Sequence, residues 1–215
     1  RNGINYDTSD PTLVQDDYFR YKEQIYALYA DYSREYSERF SMQLGLRMEH
    51  TRTTGISEAK DTEDKHDYTR LFPTVYLLYS PTDGHALNFS FSNRISRPSQ
   101  NMVNPFPFYQ NKYTYACGRE DLKPSYTYNA ELGYTLKNNF NVSAYYSYSD
   151  DVFFQVVDLD AETNVTSFLW ENFMKTHAFG LNNSYTFRTK WLQAYAQHGV
   201  SYRRTTSSAV TTSSE

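Results

Sequence analysis

Scattered histidines, one acidic run and one long aromatic loop are the places where this chain of 215 residues could do chemistry. His50, His66, His85, His177 and His198 share no metal-ligand spacing, since zinc sites draw on closely spaced pairs of ligands. They read as scattered surface or rim residues. The stretch "DTEDKHD" at 61–67 bunches Asp61, Glu63, Asp64 and Asp67, hard oxygen donors that suit a divalent cation. It lacks the central glycine and terminal glutamate of a calcium loop, so a solvated loop is the favoured reading. Ser, His and Asp abound, but no nucleophile elbow accompanies them. The Asn-x-Ser/Thr triplets at Asn88, Asn141, Asn164 and Asn182 have the form of glycosylation acceptors. Three of them also fall out of Asn/Ser-rich strand faces. Cys117 stands alone and makes neither a disulfide framework nor a zinc site. No catalytic residue, metal site or cofactor follows, and the chain reads as a non-enzyme.

The richer candidate is "SRPSQNMVNPFPFYQNKYTYACGREDLKPS", residues 96–125. Phe106, Phe108, Tyr109, Tyr113 and Tyr115 stand beside Asn104, with Arg97 at the entrance. A ring stacks on an apolar face of a sugar or peptide while amides satisfy its polar edges. These seven residues are therefore the candidate ligand-binding set. The alternative is that the rings only pack the loop against whatever carries it. Prolines within the stretch fix φ and remove backbone donors, so two further paired arms of a hairpin are not expected. The expectation is an ordered, folded-over loop held by Phe106, Phe108 and Tyr109.

Strands must carry that loop, because apolar residues recur with period 2 almost everywhere and with period 3.6 almost nowhere. "FSMQLGLRMEHT" sets Phe40, Met42, Leu44, Leu46 and Met48 against Ser41, Gln43, Gly45, Arg47 and Glu49. "ALNFSFSNRIS", "YTYNAELGYTL", "NVSAYYSYS" and "HAFGLNNSYTF" alternate in the same way. With the less regular "YFRYKEQIYALYADY", "LFPTVYLLYS" and "LQAYAQHGVSYR", the pattern predicts about eight antiparallel strands. The fold class is all-β. The polar positions Gln43, Arg47, Glu49, Arg94, Asn129 and Glu131 are expected to share an inward face. Their mixed signs suit a hydrated lumen and give no strong electrostatic funnel.

Alternation alone is equally compatible with a soluble sandwich. Strand length argues otherwise, since several runs pass ten residues where globular strands average about 5–6 and a tilted bilayer-crossing strand needs about 9–11. Connections argue the same way. Tight links, "SREYSE", "SPTDGH", "LKNNF" and "RTKW", alternate with wide ones at 53–69, 98–125 and, if the strands on either side extend that far, 159–164. Short turns on one rim and long loops on the other mark transmembrane barrels. Tyrosines near strand ends suit an interfacial girdle: the chain holds 22 Tyr against 2 Trp. A mean hydropathy of −0.75 and the absence of long apolar runs exclude a helical membrane bundle and a signal h-region. A formal charge of −4 argues against a nucleic-acid partner. The reading is an antiparallel transmembrane β-barrel segment with outer-membrane lipid around it.

"SNRISRPSQNMVNPF" followed by "GREDLKPSYTYNAELGY" resembles the barrel of TonB-dependent outer-membrane receptors, in the outer-membrane β-barrel family common in Bacteroidetes. The likeness covers roughly residues 17–205. Arg97-Pro98-Ser99, Asn104-Pro105-Phe106 and Leu122-Lys123-Pro124 match the start, middle and end of one extracellular loop in that family. Gln100, Asn101 and Cys117 depart from its usual pattern.

The resemblance implies a barrel of many more strands with a plug inside. It also implies a TonB-type energy-coupling protein as partner and a surface lipoprotein as a further one. Residues 1–215 are accordingly expected to be a single C-terminal-half barrel segment, without its plug, located in the bacterial outer membrane. The expected function is nutrient uptake of a glycan, peptide or chelate. Three alternatives stand beside it: an eight-stranded barrel closing on itself, a structural or adhesive barrel, and a soluble β-sandwich binding protein.

Overall fold

The computed structural model describes residues 19–57 and 62–208. Its body is one curled sheet with strand order β1-β2-β3-β4-β7-β8-β9, closed on neither side, with β10 also paired to β9. Eight long strands build it: β1 (Phe19–Ser37), β2 (Phe40–Ser57), β3 (Thr62–Tyr79), β4 (His85–Ser96), β7 (Ser125–Leu136), β8 (Phe140–Asp160), β9 (Val165–Arg188) and β10 (Gln193–Ser207). Between β4 and β7 lie the short helix α1 (Gln100–Val103) and two four-residue strands, β5 (Phe108–Asn111) and β6 (Thr114–Cys117). All pairings among the long strands are antiparallel.

Register turns the period-2 pattern into two surfaces. Directly paired residues share a face, and Tyr32, Leu44, Val75, Phe91, Ala130, Tyr146, Phe179 and Tyr202 form one unbroken row across the sheet. The next row holds Met42, Leu77, Phe89, Leu132, Ala144, Leu181 and Val200. Many of these side chains stay exposed, Leu132 by 55 % and Val200 by 59 %, with no protein layer over them. An apolar outer band on a curled antiparallel sheet is the lipid-facing surface of a barrel wall. The opposite face carries Gln43, Arg47 and Glu49 of β2, Arg94 of β4, and Asn129 and Glu131 of β7.

Four tight turns close one rim, two of them through left-handed residues. Lys137 and Asn138 take φ of 49° and 55° between β7 and β8, and Gly84 takes 78° between β3 and β4. Lys137 N–H donates to the Gly84 carbonyl, stitching the two turns together.

The other rim differs from the sequence expectation. Residues 53–69 are not a wide loop: Thr53 pairs with His66 and Ser57 with Thr62, so β2 and β3 rise well past the apolar band as a paired arm. β8 and β9 also rise as a paired arm and extend as far as the sequence allowed, so the connection expected at 159–164 is a short turn at 161–164. The β2–β3 arm is largely polar on both faces, which hides a strand from any argument based on apolar alternation, whereas the β8–β9 arm carries Phe154, Val157 and Leu159 exposed. Among the described residues only the connection between β4 and β7 is wide.

Candidate functional site at the barrel mouth

Pro73 explains where the wide loop leaves the wall. Pairing between β3 and β4 ends at Thr74 and Ser92, and the next residue along β3 is a proline with no N–H to give. Beyond that split β4 runs on alongside β7 alone to Ser96. The chain then turns across the polar face instead of rising with the strands.

Arg97 fixes this turn. Its Nη2 donates to Glu49 Oε2 at 2.6 Å and reaches Thr51 Oγ1 at 3.4 Å, while its Nε lies 3.5 Å from Glu23 Oε1. Arg47 pairs with the other oxygen of Glu49. Glu49 and Thr51 are the two most deeply buried side chains, at 1 % and 0 % exposure. A buried carboxylate is tolerated only when cations and donors surround it. Two guanidiniums do so here, one from the wall and one from the loop.

The loop then builds a small core of its own. Val103 of α1 and Leu122 are buried, and the Phe106 ring meets Phe19 edge-on with centroids 6.4 Å apart. Gly118 N–H donates to the Asn104 carbonyl and Arg119 N–H to that of Met102, lacing the loop's two halves. A Cβ at Gly118 would come within 2.6 Å of both carbonyls, so only glycine fits.

At the loop's far end Arg119 holds Asp121 with two contacts, at 2.5 and 3.1 Å, and Glu171 of β9 at 3.2 Å. The bond from Arg119 keeps the Asp121 carboxyl below the usual carboxylate range. Asn172 acts as an extra rung: its Oδ1 accepts from Lys123 N–H, and its Nδ2 donates to the carbonyls of Lys123 and Asp151. Asp151 sits at a bulge of β8 with φ of 51°.

Between these anchors β5 and β6 form a hairpin, and β6 pairs in parallel with Thr166–Leu169 of β9, above the stretch of β9 that β10 covers. That pairing joins residues about fifty positions apart, which no local pattern announces. The expectation of no further paired arms holds for β4 and β7, which the loop does not prolong, but the loop does contain this short hairpin.

The candidate ligand residues are thereby separated. Arg97 and Phe106 face the wall as anchors, and Asn104 caps locally, its Oδ1 accepting from Phe106 N–H. Tyr109 and Tyr115 pair with each other across the hairpin, centroids 5.4 Å apart. Phe108 and Tyr113 are 42 % and 50 % exposed, with the Lys112 ammonium 4.6 Å above the Tyr113 ring. Sequence reasoning missed Asn172, whose partners lie on other segments, and gave no role to Asp121 or Val103.

Under the loop a cavity of about 190 Å³ remains against the polar face of β1–β3. Phe19, Tyr21, Tyr68, Val103 and Leu122 line it together with Glu23, Arg97 and Lys123. The acidic run at 61–67 offers no cation cage here. Glu63, Asp64 and Asp67 are engaged by Lys65, His66 and the pair Arg52 and His50, while Asp61 lies outside the described residues. Among the described residues no group of His, Cys, Asp or Glu is placed to hold a metal ion.

The model of the outer membrane protein beta-barrel family matches residues 2–215. The chain belongs to that family. Its sheet accordingly lies in the bacterial outer membrane. Among solved structures it is similar to the siderophore receptor PirA from Pseudomonas aeruginosa, with 13 % identity, a TM-score of 0.57, 87 % of this chain covered and 44 % of that one. It is also similar to the FrpB iron transporter from Neisseria meningitidis (F5-1 variant), with 17 % identity, a TM-score of 0.60, and 93 % and 29 % covered. The copper transporter OprC matches at 14 % identity and a TM-score of 0.60, with 86 % and 29 % covered. At these identities the likeness is one of fold. The chain spans less than half the length of each of these proteins. No match is found among curated proteins.

Proposed function

We propose that residues 1–215 are the barrel segment of a TonB-dependent outer-membrane receptor that takes up a nutrient, with the docked loop 97–124 as part of its ligand mouth. The observation that carries this reading is the loop's placement. It folds inward across the polar face, tied there by Arg97 and Glu49, and still leaves a lined cavity and two exposed rings at the rim. A barrel that served only as a scaffold would have no need to order such a segment, at a cost of about 1–2 kcal/mol per residue.

Phe108 and Tyr113 supply the stacking platform, and the Tyr109–Tyr115 pair behind them keeps the hairpin stiff. A platform of this kind suits a glycan, a peptide or a chelate with apolar faces. The mixed polar face below, with Gln43, Arg94, Asn129 and Glu131, is suited to hydrogen-bonding a plug domain of the same protein. A TonB-type coupling protein supplies the energy that moves the plug, and a surface lipoprotein is a further partner at the rim.

The test is energy-dependent accumulation. Cells expressing the whole protein and offered labelled outer-membrane-sized oligosaccharides, peptides or metal chelates accumulate one class, and collapse of the proton-motive force stops it. Binding without accumulation would assign the barrel to adhesion instead.

A further inference from the structure

Alternation sorts charge as well as hydropathy on the arm of β1–β3 that rises above the apolar band. The last apolar row on the outer face is Leu28, Met48 and Leu71, and Tyr26, His50 and Thr69 follow it. Above them come Gln24, Arg52 and Asp67, then Lys22, Thr54 and Lys65, then Arg20, Ile56 and Glu63. Four cations thus stand against two carboxylates on one outward patch, in a chain whose formal charge is −4. Positions between them in sequence, such as Glu23 and Asp64, face the cavity on the other side.

The geometry points to a binding site for a phosphate-bearing lipid headgroup of the outer leaflet, formed on the barrel's outer wall by Lys22, Arg52 and Lys65. It rests on the proposed function only in that the loop-bearing rim faces outward. The location selects the ligand. These side chains project from the same face as the lipid-contacting residues, one and two rows above the Tyr26–His50 step where hydrocarbon gives way to headgroups. Lys22 and Lys65 lie in one row on either side of Thr54, two strand spacings or about 10 Å apart. A phosphate between them is within reach of both flexible stems, which can also bend toward the membrane.

The carboxylates do not cancel the patch. Asp67 is shared by Arg52 at 3.0 Å and His50 at 3.1 Å, and Glu63 takes Lys65 at 2.9 Å. Those contacts hold Arg52 and Lys65 in place and leave their side chains 60 % and 65 % exposed. The excess charge is what a lipid phosphate would neutralise near an anionic surface.

The test uses the whole protein reconstituted in phosphatidylcholine vesicles doped with either lipid A or its dephosphorylated form, with binding read by native mass spectrometry of released complexes. The native protein is expected to retain phosphorylated lipid A at least tenfold more than the dephosphorylated form. The combined substitution Lys22→Gln, Arg52→Gln and Lys65→Gln is expected to remove that preference. Arg34→Gln, on the same face at the opposite rim, is expected to keep it. Lys22→Gln alone, which disturbs no ion pair, is expected to weaken retention several-fold and covers the case in which the triple variant inserts poorly. Equal retention of both lipids by the native protein, or an unchanged preference in the triple variant, would overturn the site. Displacement by millimolar inorganic phosphate would assign the patch to a free anion, contrary to the proposal. None of these readouts depends on uptake.

Discussion

Arg97, at the base of the wide loop, donates from Nη2 to Oε2 of Glu49, in the middle of a wall strand 48 residues earlier, at 2.6 Å. Glu49 is all but sealed from solvent, and Arg97 is 19 % exposed. The bond ties the segment that offers aromatic rings at the rim to the polar surface beneath it.

Removing Arg97 should therefore undock the loop before it disturbs the barrel. Breaking one side of a buried pair costs about 3–5 kcal/mol, and the lower end applies because Arg47 stays on Glu49. Arg97→Ala is expected to insert normally and to become sensitive to protease between residues 98 and 124. Unaltered protection would mean that Val103, Leu122 and Phe106 hold the loop by themselves.

The face assignment predicts unequal tolerance to charge. Leu44→Arg and Phe89→Arg place a cation on the apolar rows and should cost about 2–4 kcal/mol each near the bilayer midplane. Gln43→Arg and Ser90→Arg, on the polar face, should fold and insert with wild-type yield. Equilibrium unfolding from vesicles measures both sets, and equal costs would reverse the faces.

Gly118→Ala should loosen the loop without touching the strands, since the added methyl meets two backbone carbonyls that cannot swing aside. Hydrogen exchange is expected to rise at Gly118 and Arg119, whose N–H groups bridge to Asn104 and Met102, and to stay unchanged in β2 and β7.

The far clamp predicts a pH dependence with a definite sign. Asp121 in the folded loop titrates below its ordinary value of about 3.9 because Arg119 binds the charged form. Its contribution is complete above that ordinary value and is lost as pH falls through the lower, folded one. Protection of the amides at residues 119–123, relative to their intrinsic exchange rates, should fall below about pH 4, and Asp121→Asn should show the lowered protection at every pH.

How far the sequence discloses this architecture depends on the range of each interaction. The apolar alternation of Phe40–Met48 reports its own environment, and the turns at Gly84 and at Lys137–Asn138 report their own backbone, so strands, faces and the tight rim are legible residue by residue. The β2–β3 arm beyond the apolar band is largely polar on both sides, so the pairing of Thr53 with His66 leaves no periodic trace. Arg97 and Asn104 are conspicuous in sequence, but their partners decide what they do. Glu49 turns Arg97 inward, and the Asn104 side chain serves its own turn. The parallel seat of β6 on β9 and the rung made by Asn172 join distant segments and become visible only in three dimensions.

The central claim is that the docked loop is the ligand mouth of an uptake barrel. Its most direct measurement replaces residues 100–121 by a short Gly-Ser linker in the whole protein and follows both heat-resistant barrel insertion and accumulation of the accepted ligand in native cells. Normal insertion with uptake abolished is the expected result. Undiminished uptake by the inserted variant would contradict it.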